Sequence, residues 1–341
     1  MRALVGGFSM LLLLGGSVAR AQTAPATEQT VPATEPTVLR MAAIAPEGTS
    51  WARELKAFAR GVEKATDGAL RIKWYLGGVA GDESEEVARI RRDQLDGGAG
   101  AMICDILAPS LAVTRVGGLL HSRAEASRVV NLLTPTIAEE FQRNGFVFLG
   151  AAGFGFDVIF SRTPVRSLAD LRHARFWIRK YDDVLRASLT AIGMQIVELP
   201  YSDATRAYND GQIDGFIATP ASALAFQWAG LVHAYTTVNM AYLPGCMTMA
   251  TRAFDKLPFA QQQAVRHEAA ALAVRFEDVG RELDHQLLDD IFHSHGLLRV
   301  EPSPEFQHAL DTALLEARGK IDPKLLSPAL VTKTVRALAP K

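Results

Sequence analysis

Between Leu168 and Asp183 the chain reads LADLRHARFWIRKYDD, which sets Arg175, Trp177 and Arg179 at alternate positions. On a β-strand alternate side chains share a face, so two guanidiniums would flank an indole. Such a row suits recognition rather than bond-breaking. A guanidinium clamps a carboxylate through two hydrogen bonds, and an indole offers an apolar face or stacks on a cation. The same tryptophan could equally fill a core, and Arg179 could pair with Asp182 or Asp183 at the surface.

Bond-breaking chemistry finds little support elsewhere. His267, His285, His293 and His295 gather in one stretch, but the His293-Ser294-His295 spacing does not put two imidazoles on one helical face, and no H-E-x-x-H or paired-cysteine pattern accompanies them. With Asp289 and Asp290 they read as a hydrated helix surface. No G-x-S-x-G is present, and Cys104 and Cys246 lie in the apolar runs AMICDI and LPGCMTM with no activating neighbour. They read as two buried thiols, although an exported protein could join them. The expectation is a binding protein with no catalytic residue, metal ligand or cofactor. A periplasmic hydrolase, or a sensory or lipid-shuttle domain, is the alternative class.

The 341 residues carry 36 Lys and Arg against 37 Asp and Glu, a formal charge of −1. No basic stripe is interleaved with aromatics, so nucleic acid is not an expected partner. MRALVGGFSMLLLLGGSVARAQ has a basic start, an apolar middle and an A-x-A site. Residues 1–21 therefore read as a cleavable signal peptide, too short in its apolar part to span a membrane. Residues 22–37, rich in Pro, Thr, Ala and Glu, read as a disordered linker. The expected product is periplasmic and not membrane-embedded, and its remaining ~300 residues suit two lobes of ~150.

These side chains must be positioned by regular elements. VLRMAAIA reads as a strand, and the next helix carries Trp51, Leu55, Phe58 and Val62 on one stripe, with Thr49 or Ser50 as N-cap. LRIKWYL alternates as a second strand, a helix opens in GDESEE, and GAGAMICDIL reads as a third, buried strand. A second cycle follows: RFWIRK, a helix from Asp183, MQIVELP, a helix over Ser202 to Asn209, and GFIATP. Repeated β-α-β order predicts an α/β fold with parallel strands. The stretch Leu257 to His295 is rich in helix formers, broken only by Gly280, and would run ~50 Å, enough to cross between lobes.

In order and spacing these segments resemble the extracytoplasmic solute receptors (P subunits, DctP type) of TRAP transporters. APEGTSWARELKAFARGVEKATDGALRIK resembles the opening unit, and GGVAGDESEEVARIRRDQLDGG the next. FSRTPVRSLADLRHARFWI is similar to S-K-P-V-x-S-x-A-D-L-K-G-K-K-x-R-V. AIGMQIVELPYSDATRAYNDGQIDGFIATP is similar to A-L-G-A-x-P-V-x-L-P-x-S-E-V-Y-x-A-L-Q-T-G-V-V-D-G. The resemblance implies a two-lobed periplasmic binding protein fold, a long helix spanning both lobes, hinge closure on a small molecule, and TRAP membrane subunits as partners. The expected division is lobe I over 38–155 plus 246–283, lobe II over 156–245 plus 284–325, and a C-terminal tail over 326–341.

Counting from Asp170-Leu171, the family's carboxylate-binding arginine falls on Trp177. A subset with tryptophan in this place is suspected of carrying hydrophobic or lipid-like ligands. Phe216, Ile217 and Ala218 replace polar positions after Asp214-Gly215, the loop AAGFGFDV presents Phe154 and Phe156, and the connection after Pro220 carries Phe226, Gln227 and Trp228. An unpaired carboxylate would lose several kcal/mol of hydration in such a cleft, whereas apolar surface gains ~25 cal/mol per Å². The expected ligand-binding residues are Trp177, Phe216, Phe154, Phe156, Trp228, Arg179, Glu47 and Ala218. Asp82 and Glu83 share the loop setting of Glu47. An organic-acid receptor using Arg179 is the rival reading.

Overall fold

A computed structural model describes residues 35–339. The expected signal peptide and most of the linker lie outside the described residues. Thr37 already bonds Ala69 O through its amide at 2.9 Å, so the end of the expected linker joins the first strand.

Two sheets carry the fold. Strands β1 (Thr37–Ala42), β2 (Leu70–Tyr75), β3 (Gly97–Gly100) and β4 (Phe146–Phe156), with β10 (Tyr242–Ala250), lie in the order β2-β1-β3-β10-β4. Strands β5 (Val158–Ser161), β6 (Arg175–Arg179), β7 (Gln195–Leu199), β8 (Gly215–Ala218), β9 (Ala234–Thr236) and β11 (Leu298–Val300) lie in the order β11-β9-β5-β8-β6-β7. The β1–β2, β1–β3, β6–β7 and β6–β8 pairs are parallel, as β-α-β repetition demands. Antiparallel β10 enters the first sheet and antiparallel β5 the second. The chain changes sheets at Asp157, between β4 and β5, and again over residues 237–241.

Helices α1 (Ser50–Ala65), α2 (Glu83–Arg91), α3 (Ala101–Leu107) and α4 (Arg123–Arg143) belong to the first lobe. Helices α5 (Leu168–His173), α6 (Asp183–Ala191), α7 (Tyr201–Asn209) and α8 (Pro220–Ala225) belong to the second. Trp51, Leu55, Phe58 and Val62 of α1 are buried on one stripe, and the Thr49 hydroxyl caps it by accepting from Ala52 N. After the short α9 (Thr251–Phe254), α10 (Phe259–Gln286) leads through a π turn at Leu287–Ile291 into α11 (Phe292–Ser294), a helical run of about 54 Å. Glu277 of α10 accepts from Gly153 N of β4 at 2.6 Å, while Leu288 O accepts from the Tyr235 hydroxyl of β9 at 2.6 Å, so this run touches both lobes. Gly280 lets the helix lie against Gly153 O and the Arg123 guanidinium, where a Cβ would crowd both. Helix α12 (Pro304–Arg318) packs on α5 and α6.

Several expectations are corrected. GAGAMICDIL is strand only to Gly100 and then becomes α3, because the buried Glu83 carboxylate accepts from Ile103 N at 3.0 Å and caps a helix start. The expected loop AAGFGF is the second half of β4, which continues beside β10 through register shifts at Leu243/Pro244 and Met247/Thr248. Tyr242–Gly245 accordingly sits in the first sheet, outside the second lobe to which it was expected to belong. The expected tail contains α13 (Pro328–Leu338), packed on α4. Cys104 and Cys246 are joined, tying α3 to β10 across 142 residues of sequence. These are the chain's two cysteines. Reduction should lower unfolding stability by about 3–5 kcal/mol, read as a fall in the urea midpoint with reductant.

Candidate ligand-binding site

Loops at the C-terminal ends of parallel strands meet between the sheets, the place where open α/β folds expose backbone and side chains to ligands. A cavity of ≈ 70 Å³ lies there. One water needs ~10–15 Å³ on this scale, so a small organic molecule fits. Residues 43–45 after β1, Ala99 to Ala101 at the β3–α3 junction, and Ala151 and Ala152 of β4 form a small-residue wall. Trp51, Phe154 and Phe276 form an aromatic wall, Phe154 meeting Trp51 edge-on at 4.8 Å and Phe276 at 6.2 Å. The second lobe contributes Tyr201, stacked on Phe226 at 4.8 Å, and Ser222.

Glycines make room for these groups. A Cβ at Gly100 would strike the Glu83 carboxyl, one at Gly153 the Tyr242 hydroxyl, and one at Gly245 the Phe154 ring. Glu83 is the cavity's one carboxylate, and no Lys, Arg or His lines it among the described residues. Burial pushes Glu83 up to about 7, against the pull of Arg179 and the Ile103 amide. Behind it, Glu86 is fully buried with both oxygens unpartnered among the described residues, and burial raises it to about 9, reinforced by Glu83 and Asp82.

The nearby cations are already engaged. Arg115, in the 3-10 turn Pro109–Arg115, donates to Asp157 at 2.5 Å and to Asp182 at 2.6 Å. Arg179 donates to Asp105 of α3 and lies 3.2 Å from Asp182. Both arginines and Asp157 and Asp182 are buried. Burial raises Asp105 and Asp157, while the two guanidiniums overcome burial at Asp182 and lower it. A second cavity of ≈ 10 Å³, about one water, borders this cluster and shares Tyr201, Ser222 and Leu243 with the larger one.

Among the expected residues, Phe154 lines the larger cavity. Trp177, Arg179 and Ala218 line the smaller one. Trp177 is 1% exposed and donates its indole N–H to Leu199 O at 3.0 Å; it lies in an aromatic block with Trp228 at 4.7 Å and Tyr201 at 5.2 Å. Phe216 stacks on Trp228 at 4.7 Å within that block, and neither lines either of these two cavities. Phe156 packs against Tyr242 at 5.3 Å, away from the cavities. Glu47 is exposed and paired with Lys56 at 2.5 Å. Arg179 does lie 3.2 Å from Asp182, one of the two partners considered for it, but the pair is buried and not at the surface, and a further bridge to Asp105 crosses between the lobes. Tyr201, Ser222, Phe276 and Trp51 were not singled out. Tyr201 follows the strand-ending VELP, a usable signal, but Phe276 and Trp51 lie on helical stripes that read as ordinary core.

A family model described as DctP, bacterial extracellular solute-binding protein, family 7, matches residues 41–321. A "Solute-binding protein" of Verminephrobacter eiseniae is 24% identical over 214 residues, 62% of this chain; the match spans 63% of that relative's length. Among solved structures, the sugar acid binding protein of Advenella mimigardefordensis in complex with galactonate superposes with a TM-score of 0.82 at 16% identity, covering 89% of this chain and 97% of that one. A Bordetella pertussis extracytoplasmic solute receptor binding pyroglutamic acid gives 0.79 at 20% identity, covering 88% and 99%. These likenesses establish the two-lobed fold.

Two outcomes follow from burial. Trp177→Ala should cost about 3–5 kcal/mol of stability, seen in urea unfolding, because it empties the centre of the aromatic block. Glu86 is protonated when folded and ionised when unfolded between pH 4.5 and about 9. Its contribution is therefore intact below pH 4.5 and is lost as pH rises through that window. Glu86→Gln should flatten that fall, gaining on the order of a few kcal/mol at pH 8 and little at pH 4, measured by urea midpoints at both.

Proposed function

Because the chain belongs to the DctP family of bacterial extracellular solute-binding proteins, we propose that it is a receptor rather than an enzyme, capturing a small, predominantly hydrophobic solute without a free carboxylate between its lobes. In this reading it is exported, closes by hinge motion about Asp157 and residues 237–241, and delivers the solute to TRAP membrane subunits. The observation that carries the ligand class is the cavity lining: five aromatic rings, a wall of alanines and glycines, and no cation among the described residues. Trp177, Phe216 and Trp228 act as the floor beneath Tyr201 and Phe226, giving the tryptophan that replaces the family's arginine an indirect part in shaping the site. Apolar surface buried there gains ~25 cal/mol per Å². The cavity's size favours a compact solute over a long acyl chain.

One observation favours the second reading, an organic-acid receptor using Arg179. Its buried Nε has no hydrogen-bond partner among the described residues, and the Advenella and Bordetella structures carry galactonate and pyroglutamic acid. Against it, Asp105 already holds Nη1 and Asp182 lies 3.2 Å from Nη2, so an incoming carboxylate would compete with two of the protein's own for a buried guanidinium.

Mass spectrometry of an organic extract from protein purified without denaturation separates the two readings. The expected result is a non-acidic, largely apolar compound, depleted in a Phe154→Arg variant. A small organic acid retained by the wild type and lost in Arg179→Met would overturn the proposed ligand class.

A further inference from the structure

The buried charges beside the cavity do not balance. Arg115 and Arg179 supply two cations, while Asp105, Asp157 and Asp182 supply three carboxylates bonded to them. Glu83 then adds another carboxylate on the cavity wall, 2% exposed, whose one hydrogen bond among the described residues comes from Ile103 N. The groups facing it are Arg179 from β6, Asp105 from α3, Asp82 and Glu86 from its own helix and connection, and Tyr201 from α7. Arg179 is shared between two aspartates, so none of these gives Glu83 a cation of its own. An unpaired buried carboxylate is costly, and the cost is relieved by a proton or by a cation.

The space in front of Glu83 is suited to a cation. Trp51, Phe154, Phe276, Tyr201 and Phe226 line the same cavity, and aromatic faces attract a desolvated ammonium through their quadrupoles. A cation there would restore the charge balance that the arginines leave short, and its apolar substituents would meet the alanine wall.

Building on the receptor reading above, we propose that the solute carries a cationic head, an ammonium or amidinium group, seated against the Glu83 carboxylate inside the ring-lined cavity. Glu83 is then the residue that sets ligand charge, and Asp105 supports it by keeping Arg179 occupied.

Calorimetric titration with benzylammonium, benzyl alcohol and benzoate tests this, since the three share a ring and differ in charge. The expected order is benzylammonium tighter than benzyl alcohol by roughly tenfold or more, with benzoate weakest. In Glu83→Gln, whose amide oxygen can still accept from Ile103 N, the gap between ammonium and alcohol should close while alcohol affinity stays. Benzyl alcohol binding as tightly as benzylammonium, no binding of benzylammonium, or an ammonium preference that survives Glu83→Gln would overturn the cationic head and leave the apolar-solute reading standing. Benzoate binding tightest would overturn both. Should Glu83→Gln fold poorly, the wild-type order of the three probes decides alone.

Discussion

Two buried arginines, the buried Asp157 and Asp182, and the half-buried Asp105 form, between the lobes, the interaction on which the remaining arrangement depends. Arg115 reaches from the first lobe to Asp182 at the start of α6, Arg179 reaches from β6 to Asp105 on α3, and Asp157 is the residue at which the chain passes between sheets. Such a cluster adds little net stability, because desolvating five charges offsets their attraction. Its force is in specificity: removing any partner strands another charge in the interior. The lobes are thus held in one register by groups that no other packing would satisfy.

That cluster also explains the character of the cavity. Guanidiniums that could meet a carboxylate are turned toward the protein's own aspartates, and the neighbouring space is left to rings and small residues. Gly100, Gly153 and Gly245 each stand where a side chain would collide with Glu83, Tyr242 or Phe154. Local sterics and buried electrostatics therefore act together: the glycines admit large groups, and the ion pairs remove the cations.

Much of the framework was legible in the sequence because it rests on periodicity. The α1 stripe, the alternation in β6 and the helix-rich stretch that becomes α10 all follow from spacing alone. The errors came where spacing is silent. AMICDIL is apolar but for Asp105, and only a carboxylate 20 residues earlier decides that it is helical. AAGFGF looks like a loop by its glycines, yet Gly153 accommodates the Tyr242 ring from a strand far along the chain and Gly155 the Arg123–Asp284 pair. The alternation in β6 sets Trp177 apart, but which layer of an aromatic block faces the cavity depends on α7 and α8, whose placement no local pattern encodes. Glu83 was noticed only as one of several loop carboxylates; its isolation emerges when α2, α3 and β6 converge.

The π turn in the long helix has a consequence of a different kind. Buried or packed positions along α10 recur at steps of three or four, through Val265, Ala269, Leu272, Phe276, Gly280 and Leu283 to Leu287, and the next fully buried position, Phe292, follows after five. A five-residue step keeps both side chains on one side only where the backbone is wound wider than an α-helix. The helix therefore behaves as a screw with one locally coarser thread. Losing a single residue within that turn would advance the far end by ~1.5 Å and rotate it by ~100°, turning Phe292 away from Phe160 and Tyr235. Chain length at this one point thus sets the angular setting between the halves of the molecule, a quantity that substitutions alone would scarcely alter.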